Sequence, residues 1–430
     1  MKRIAGIILA ILIAIPAAVI AVQMLHDPGS DIKAAAPADT AQQLARGAYL
    51  VRAGNCMTCH TARGGAVNAG GRALRSEFGV FYSSNITPDV ATGIGDWSAD
   101  DFWRALHNGK SKDGSFLYPA FPYTNYTKVT RGDSDAMHAY LRTVAPVRLV
   151  NREHDLRFPF DQRLLLAGWR ALYFRPGVFE STPAQTAEWN RGAYLVEGLG
   201  HCSACHTARN ALGAVDEKAS LAGAMMPVLN WYAPPLASQT HSSLAEWESR
   251  HLQDLLKTGV SARGAVFGPM AEVVQGSLQH LSDADIGAMA VYLKSLSPQA
   301  QVKTAPEAST PPSLPRNNTL FASGAALYEK NCAACHGADG KGSPPAYPPL
   351  ADEGGQSLPP PVNAIRMVLN GGFPPSTAGN PRPYGMPPFG NALDDAQIAA
   401  VVYYIRTAWG TSSDPITAAD VGRYRGVPVE

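Results

Sequence analysis

The chain has almost no excess charge, since 36 Lys and Arg residues stand against 35 Asp and Glu residues in 430. Such a balance gives no basis for binding nucleic acid or an acidic polymer. The chain also lacks a G-x-G-x-x-G fingerprint after a strand, a P-loop and a triad-like cluster. These absences argue against a nucleotide site of the usual kinds, and nothing in the sequence supports a substrate-oxidising centre in this chain.

Cysteine is scarce, and all six cysteines fall in three copies of the pattern C-x-x-C-H. Two thiols on one helical turn can add to the vinyl groups of a porphyrin, and the adjacent histidine then ligates the iron. One copy could be half a zinc site or a redox dithiol, but three copies with no cysteine left over favour haem. We therefore predict three covalently bound haem c groups, attached through Cys56 and Cys59, Cys202 and Cys205, and Cys332 and Cys335, with His60, His206 and His336 as proximal iron ligands.

The N-terminus carries one long apolar run, from Ile4 to Leu25, after Lys2 and Arg3. Its 22 residues suffice to cross about 30 Å of hydrocarbon, so we predict a retained transmembrane anchor over residues 1–26. The alternative is a cleaved signal peptide, for which Val19-Ile20-Ala21 and Ala34-Ala35-Ala36 are small-residue processing sites. In both cases the positive residues place the rest of the chain on the periplasmic side of the bacterial cytoplasmic membrane.

Internal repeats predict a mostly α chain. Similar segments precede the three motifs, beginning at Arg46, Arg191 and Gly324, and each predicts a helix whose last turn carries the cysteines. A further helix is predicted to close each repeat, over Ser134–Thr143, Asp283–Leu296 and Asp394–Ala408. Two terminal helices around a haem resemble the class I cytochrome c fold. The predicted order is an anchor at 1–26, a linker at 27–40, cytochrome domain 1 at 41–150, a connecting segment at 151–188, domain 2 at 189–298, a Pro-rich linker at 299–316, domain 3 at 317–412 and a C-terminal tail at 413–430.

A low-spin electron-transfer haem needs a second axial ligand, commonly a methionine, which raises the reduction potential. Met270 and Met386 occupy equivalent Gly/Pro segments before the closing helices, so we predict that they ligate the second and third irons. In the first repeat the aligned position is Phe121, which cannot ligate iron, and Met137 is expected to pack in the core. The sixth ligand of haem 1 is unknown; His107 is a weak candidate, and a solvent-facing helix end is the alternative.

The other ring nitrogen of each proximal histidine is expected to bind a backbone carbonyl. The sequence offers Pro348-Pro349-Leu350 for His336, and more weakly Pro234-Pro235-Leu236 for His206 and Asn85-Ile86-Thr87-Pro88 for His60.

The connecting segment is rich in Arg, Leu and aromatic residues. Between Arg157 and Phe179 its leucines and aromatic residues predict an apolar helix face, and four arginines could meet lipid phosphates. Two alternatives stay open, a helix in the membrane interface near a quinone site, and a buried helix between haem domains.

The chain resembles, over nearly its whole length, the triheme cytochrome c subunits of membrane-bound periplasmic dehydrogenases. The likeness is carried by Ser84-Asn85-Ile86-Thr87-Pro88-Asp89, Leu117-Tyr118-Pro119-Ala120, Gly192 to Gly198, and Gly268-Pro269-Met270-Ala271-Glu272-Val273. The resemblance implies that the chain accepts electrons from a catalytic subunit that oxidises an alcohol, sugar or aldehyde, and passes them to ubiquinone.

The identity of the catalytic partner divides this family. Trp231-Tyr232-Ala233-Pro234 and the anchor resemble cytochromes that accompany molybdopterin and iron–sulfur hydroxylases such as aldehyde dehydrogenase. Subunits of PQQ-dependent alcohol dehydrogenases typically have Met at the position of Phe121 and a cleaved signal. We expect the molybdopterin type, with a PQQ-dependent alcohol dehydrogenase or flavin-dependent sugar dehydrogenase as the alternative. The opposing class is a peroxidase-like multihaem enzyme that uses an open haem 1.

Overall fold

The computed structural model describes residues 2–30, 32, 40–237, 244–297, 319–351, 360–410 and 414–427. The contacts between residues divide the chain into two compact units. The first comprises Met1–Ala204 and Arg209–Val215, and the second comprises Cys205–Ala208 and Asp216–Glu430. The Pro-rich linker predicted at 299–316 lies outside the described residues, and the boundaries of three haem domains stay a prediction.

The first unit is mainly helical, with one small sheet. Its helices are α1 (Lys2–Leu25), α2 (Ala41–Ala53), α3 (Cys56–His60), α4 (Ala99–Asn108), α5 (Tyr123–Tyr126), α6 (Arg131–Leu141), α7 (Leu166–Tyr173) and α8 (Ala187–Tyr194). The antiparallel strands β1 (Ala73–Ser76), β2 (Gly79–Tyr82) and β3 (Asp155–Leu156) pair in chain order. Ala73 is opposite Tyr82, and Gly79 is opposite Leu156.

Helices α2 and α6 cross at a glycine in the core of the first unit. A Cβ atom on Gly47 would lie 1.9 Å from the backbone oxygen of Ala136. Helix α6 begins three residues before the predicted Ser134, because the hydroxyl of Thr130 accepts a hydrogen bond from the Asp133 amide and caps it. Met137 is 1% exposed on this helix, which confirms its predicted packing role.

The repeats predicted that the attachment cysteines lie on the last turns of the helices that precede them. This prediction is wrong, because the motifs form separate short helices. After α2, Asn55 adopts the left-handed conformation with φ 53°, and Cys56–His60 form a separate short helix. After α8 the chain runs through a π-helical turn, Leu195–Leu199, and a left-handed His201 with φ 39°, before α9 (Ser203–His206). In both cases a residue in the left-handed conformation separates the preceding helix from the motif.

The connecting segment forms a 3₁₀ turn, Arg163–Leu165, followed by α7. One face is exposed, with Leu164, Leu165 and Leu172 between 55% and 65% accessible, while Ala167, Arg170 and Phe174 are buried. Two of the four arginines expected to meet lipid point into the protein instead. Arg163 donates to the Phe116 carbonyl at 2.7 Å and Arg170 to the Asn108 carbonyl at 2.6 Å. The segment is therefore buried on one face and exposed on the other, and both alternatives for it stay predictions.

The second unit contains two short hairpin-like strand pairings and most of the remaining helices. Its strands are β4 (Ala224–Met226), β5 (Trp231–Ala233), β6 (Val260–Ser261) and β7 (Gly264–Ala265), and β4 pairs with β5 and β6 with β7. Its helices are α10 (Ser249–Thr258), α11 (Pro269–Gly276), α12 (Asp283–Ser295), α13 (Thr319–Asn331), α14 (Ala333–His336), α15 (Val362–Asn370), α16 (Asp395–Ala408) and α17 (Ala418–Arg425).

Helices α13 and α16 repeat the glycine crossing of the first unit. A Cβ atom on Gly324 would lie 2.2 Å from the backbone oxygen of Ala400. The crossing is part of an apolar core that includes Tyr328, Ile398 and Val402. The predicted C-terminal tail contributes to this core, because α17 buries Val421 against it.

Helix α1 is long and apolar enough to cross a membrane by length and composition. It spans 24 residues, and an 18-residue window within it has a mean hydropathy of 2.9 and is not buried in the structure. Its end toward α2 packs against α7. A retained transmembrane anchor therefore stays a prediction that this helix is able to fulfil.

Candidate haem-attachment sites

Each of the three motif histidines is oriented by one hydrogen bond from its Nδ1 atom to a backbone carbonyl. The partners are the carbonyls of Ser84 for His60 at 2.7 Å, Pro234 for His206 at 2.6 Å and Pro348 for His336 at 2.9 Å. The two proline carbonyls were predicted, whereas the first partner lies one residue before the predicted Asn85–Pro88 run. With Nδ1 engaged in this way, Nε2 is the nitrogen that remains for a metal.

Burial determines the charge state of these sites. It lowers the pKa of His60, His206 and His336 below the ordinary value for histidine, and the carbonyl hydrogen bonds offset this only in part. Each imidazole is therefore neutral at pH 7, which is the form that ligates iron. Burial likewise raises the pKa of the Cys56 thiol to about 12 and that of Cys332 to about 11. These raised thiol pKa values argue against a reactive redox dithiol, in which the pKa of a thiol is lowered.

The first motif is enclosed by aromatic side chains. Tyr126 donates from its hydroxyl to the carbonyl of Gly54 at 2.7 Å, and its ring lies 5.2 Å from that of Phe121. Burial raises the pKa of Tyr126 well above its ordinary value, with a further contribution from Cys56 and Cys59. The predicted distal residue Phe121 thus lies in the aromatic cluster beside the first cysteine pair.

His107 is neither on a solvent-facing helix end nor oriented by a haem motif. It is 2% exposed, stacks on Trp103 with ring centroids 4.4 Å apart, and its Nδ1 is 2.9 Å from the Thr127 carbonyl. Its Nε2 faces Gly29 in the segment that follows α1. The solvent-facing alternative is wrong, and ligation of haem 1 by His107 stays a prediction to which this packing lends no support.

At the second site, strand β5 links the segment that orients His206 to the segment that carries Met270. Pro234, which orients His206, follows β5, and Trp231 at the start of the strand packs against Gly268. Met270 is two residues beyond Gly268, on the first turn of α11 rather than in the expected loop. The indole N–H of Trp231 is buried and has no hydrogen-bond partner within the described residues. A group that carries a carboxylate, as haem does, would satisfy this donor.

At the third site, backbone hydrogen bonds fix the position of the predicted distal residue, Met386. Met386 exchanges two hydrogen bonds with Gly372, from Met386 N to Gly372 O at 2.8 Å and from Gly372 N to Met386 O at 3.0 Å. Met386 and Cys332 pack against the same apolar core. The Tyr328 hydroxyl donates to the carbonyl of Gly337, directly after His336, at 2.7 Å. The chain thus brings the first attachment cysteine and the predicted distal residue of this site to one core.

These residues fit covalently bound haem. The cysteines would hold the porphyrin, the neutral histidines would ligate the iron, and the surrounding apolar and aromatic side chains would exclude water. Haem supplies reversible one-electron chemistry when bound, and the protein sets its potential and orientation. None of the six cysteines forms a disulfide.

Sequence reasoning missed Ser84, Tyr126 and Trp231. Ser84 is contiguous with the predicted Asn85–Pro88 run, so a shift of one residue would have found it. Trp231 entered only through a family resemblance and Tyr126 not at all, because their roles at the sites depend on contacts with residues 37 and 72 positions away, at Gly268 and Gly54.

Comparison with known proteins gives a consistent result. The family model described as cytochrome c matches three segments of this chain, residues 44–145, 190–297 and 321–409. Among curated proteins, the gluconate 2-dehydrogenase cytochrome c subunit of Pantoea cypripedii is 41% identical over 395 residues, covering 88% of this chain and 89% of the relative.

Two other relatives belong to different dehydrogenases. The cytochrome c subunit of alcohol dehydrogenase (quinone) from Gluconacetobacter polyoxogenes is 39% identical and covers 89% of this chain and 85% of its own length. A nicotinate dehydrogenase subunit of Pseudomonas putida is 42% identical over 85% of this chain, but the match covers only 30% of that larger protein.

Proposed function

We propose that this chain, which belongs to the cytochrome c family, is the triheme electron-transfer subunit of a membrane-bound dehydrogenase complex. The observation that carries the proposal is the threefold recurrence of a C-x-x-C-H motif whose histidine Nδ1 is held by a backbone carbonyl. Its relatives are cytochrome c subunits of dehydrogenases, which supports electron transfer as the shared function.

Three haems per chain follow from the three equivalent motifs. Purified full-length protein should give a pyridine haemochrome ratio of three haems per chain, and peptide mass spectrometry should find the haem mass on each cysteine pair. Cys332→Ala with Cys335→Ala should lower the ratio to two. A ratio of two in the unaltered chain would contradict the proposal.

For the catalytic partner we propose a molybdopterin and iron–sulfur subunit of the aldehyde dehydrogenase kind. Phe121 in place of methionine and the N-terminal helix support this choice over a PQQ-dependent alcohol dehydrogenase or a flavin-dependent sugar dehydrogenase. Relatives from gluconate, alcohol and nicotinate dehydrogenases have similar identities, from 39% to 42%, so overall similarity does not separate these partners.

Ubiquinone is the proposed electron acceptor, on the periplasmic side of the membrane. The exposed leucines of the 3₁₀ turn and α7 lie on the segment that packs against α1. An apolar surface continuous with a membrane-spanning helix suits the interface, where a quinone would enter from the bilayer.

Co-purification tests the partner directly. The tagged full-length chain, extracted in mild detergent, should bring down a catalytic subunit whose cofactor is identified by mass spectrometry as molybdopterin, PQQ or flavin. Addition of the substrate of that subunit should reduce the haems, and addition of a short-chain ubiquinone should reoxidise them. Recovery of PQQ or flavin would replace the proposed partner, and failure of any dehydrogenase to reduce the haems would overturn the function.

A peroxidase-like enzyme is the second candidate function, because Phe121 replaces the aligned methionine at haem 1. Rapid mixing of the reduced protein with hydrogen peroxide distinguishes the two functions. An electron carrier should show slow bleaching or simple oxidation, whereas a peroxidase must form an oxidised high-valent spectrum within the mixing experiment.

A further inference from the structure

One turn of helix, α5, contacts the flanks of both the first and the second attachment motifs. The hydroxyl of Tyr126 donates to the carbonyl of Gly54, two residues before Cys56, at 2.7 Å. The side-chain amide of the neighbouring Asn125 donates to the hydroxyl of Ser203, inside the second motif, at 2.8 Å. The same amide donates to the Glu197 carbonyl at 2.8 Å. All of these residues belong to the first compact unit.

His201 makes a second connection between the same two motifs. It immediately precedes Cys202 and lies beside Tyr126, whose hydroxyl donates to the carbonyl of Gly54. Its ring packs edge-on against Tyr126 with centroids 5.6 Å apart. The backbone of His201 is left-handed, at φ 39°, a conformation that costs energy and persists only where the surroundings hold it.

The two chain segments that lead into the motifs are in direct contact. A Cβ atom built on Gly54 would lie 3.5 Å from the Leu199 side chain and 3.4 Å from the Cys56 sulfur. An ion pair between Lys128, just after α5, and Glu197 joins the same elements at their periphery. The flanks of the first and second motifs are thus separated by single hydrogen bonds and van der Waals contacts.

We propose that Asn125, Tyr126 and His201 are positioning residues that hold the first and second haems as a directly coupled pair. The proposal rests on the proposed function. Electron tunnelling weakens less per ångström through covalent and hydrogen bonds than through space. The route from Cys56 through the Gly54 carbonyl to the Tyr126 hydroxyl, and through the neighbouring Asn125 to Ser203 beside Cys202, consists of such bonds alone. The step moves one electron and no atom, since one iron is oxidised as the other is reduced.

Two conservative variants test this role. Tyr126→Phe keeps the aromatic ring and removes the hydrogen bond to Gly54, and Asn125→Leu keeps the approximate side-chain size and removes the hydrogen bonds to Ser203 and Glu197. The matched control is Tyr328→Phe, which removes an equivalent tyrosine-to-carbonyl hydrogen bond of 2.7 Å beside the third motif. Each detergent-solubilised full-length protein is first compared in haem content and in Soret-region circular dichroism, where neighbouring haems give a two-signed exciton signal.

The decisive measurement is the rate of electron redistribution between haems after flash photoreduction, which needs no dehydrogenase partner. The haem whose signal changes in Met270→Ala identifies the second haem. We expect both bridge variants to keep three haems and unchanged midpoint potentials, yet to slow exchange between the first and second haems several-fold, with the control unaffected.

Wild-type rates in both bridge variants with full haem content would overturn the proposal, as would an unaltered chain without the two-signed Soret signal. If either bridge variant loses haem, Asn125→Asp, which keeps the size of the side chain, takes its place under the same criterion. Because the electrons come from light, failure of the proposed dehydrogenase partnership would leave this result readable.

Discussion

At the scale of single residues, the proximal side of each haem site is fixed more firmly than the distal side. The three histidines are locked by carbonyls at 2.6–2.9 Å, which fixes the tautomer and aims Nε2 at the iron position. The predicted distal residues Met270 and Met386 are held by different means, a helix start and a backbone pairing with Gly372. The potential of each haem should therefore depend mainly on these distal residues.

Met270→Ala and Met386→Ala should each abolish one methionine-ligated low-spin signal. Loss of the thioether ligand should also lower the midpoint potential of that haem by on the order of 100 mV, a fraction of the ~0.8 V range that axial ligands span. Potentiometric titration with visible and near-infrared spectra measures both effects. Met289→Leu, a buried core methionine on α12, should change neither, and an unchanged spectrum in Met270→Ala or Met386→Ala would reject that ligand.

Phe121→Met is the complementary change at the first haem. Phe121 is beside Tyr126 in the aromatic cluster next to Cys56 and Cys59, so methionine there is expected to reach the iron. The variant should gain a methionine-ligated signal and a higher potential in haem 1 alone. Spectra identical to those of the unaltered chain would show that this position is not distal to the iron.

At the scale of helices, sequence patterns located the elements well and their ends less well. Asp394 was predicted to begin the last closing helix and does cap it, whereas α6 begins at Arg131, capped by the hydroxyl of Thr130, and not at the predicted Ser134. The short helix α3, which carries Cys56, was not predicted, since it depends on the left-handed Asn55 before it. The bridge of Asn125 and Tyr126 was beyond prediction because it joins residues about 70 positions apart.

The glycine crossings give a prediction at this scale. Gly47→Val and Gly324→Val place side-chain carbons where a Cβ atom alone would be within 2.2 Å of backbone oxygen, so the helices must separate. Overpacking of this kind costs about 1–3 kcal/mol or more, and we expect a lower melting temperature and loss of the haem held by that helix pair. Gly132→Ala on α6 is the control, since nothing lies within 4 Å of its Cβ position. Full haem content in both valine variants would contradict the crossing as a determinant of the haem pocket.

At the scale of the whole molecule, the repeats predicted where haem attachment occurs but not how the N-terminal helix joins the first unit. The end of α1 and the residues after it are held by buried cations. Lys110, 1% exposed, donates to the Met24 carbonyl at 3.0 Å and pairs with Asp27. Arg170 donates to the Gln23 side chain at 3.2 Å. Positive side chains at a helix C-terminus satisfy its last carbonyls and its dipole, so these contacts form a clamp on α1.

The clamp bears on one of the two processing sites that the sequence offered, Ala34-Ala35-Ala36. Processing after Ala36 would remove every acceptor that Lys110 is shown to bind, and the loss of one partner of a buried charged pair costs about 3–5 kcal/mol. We therefore predict that the mature protein keeps residues 23–32. Intact mass and N-terminal peptide sequencing of protein from membranes measure this, and a mature chain that begins at residue 37 would contradict it.

A chain that begins at residue 37 can be made by fusion to a cleaved export signal. It keeps the crossing of α2 and α6, but it should have a lower melting temperature than the full chain. Lys110→Met in that shortened chain should restore part of the loss, because an apolar side chain needs no acceptor in the buried site. Lys112→Met, which removes an exposed ion pair with Asp96, is the matched control and should restore nothing. Equal melting temperatures for the full and shortened chains would show that the clamp contributes no stability to the first unit.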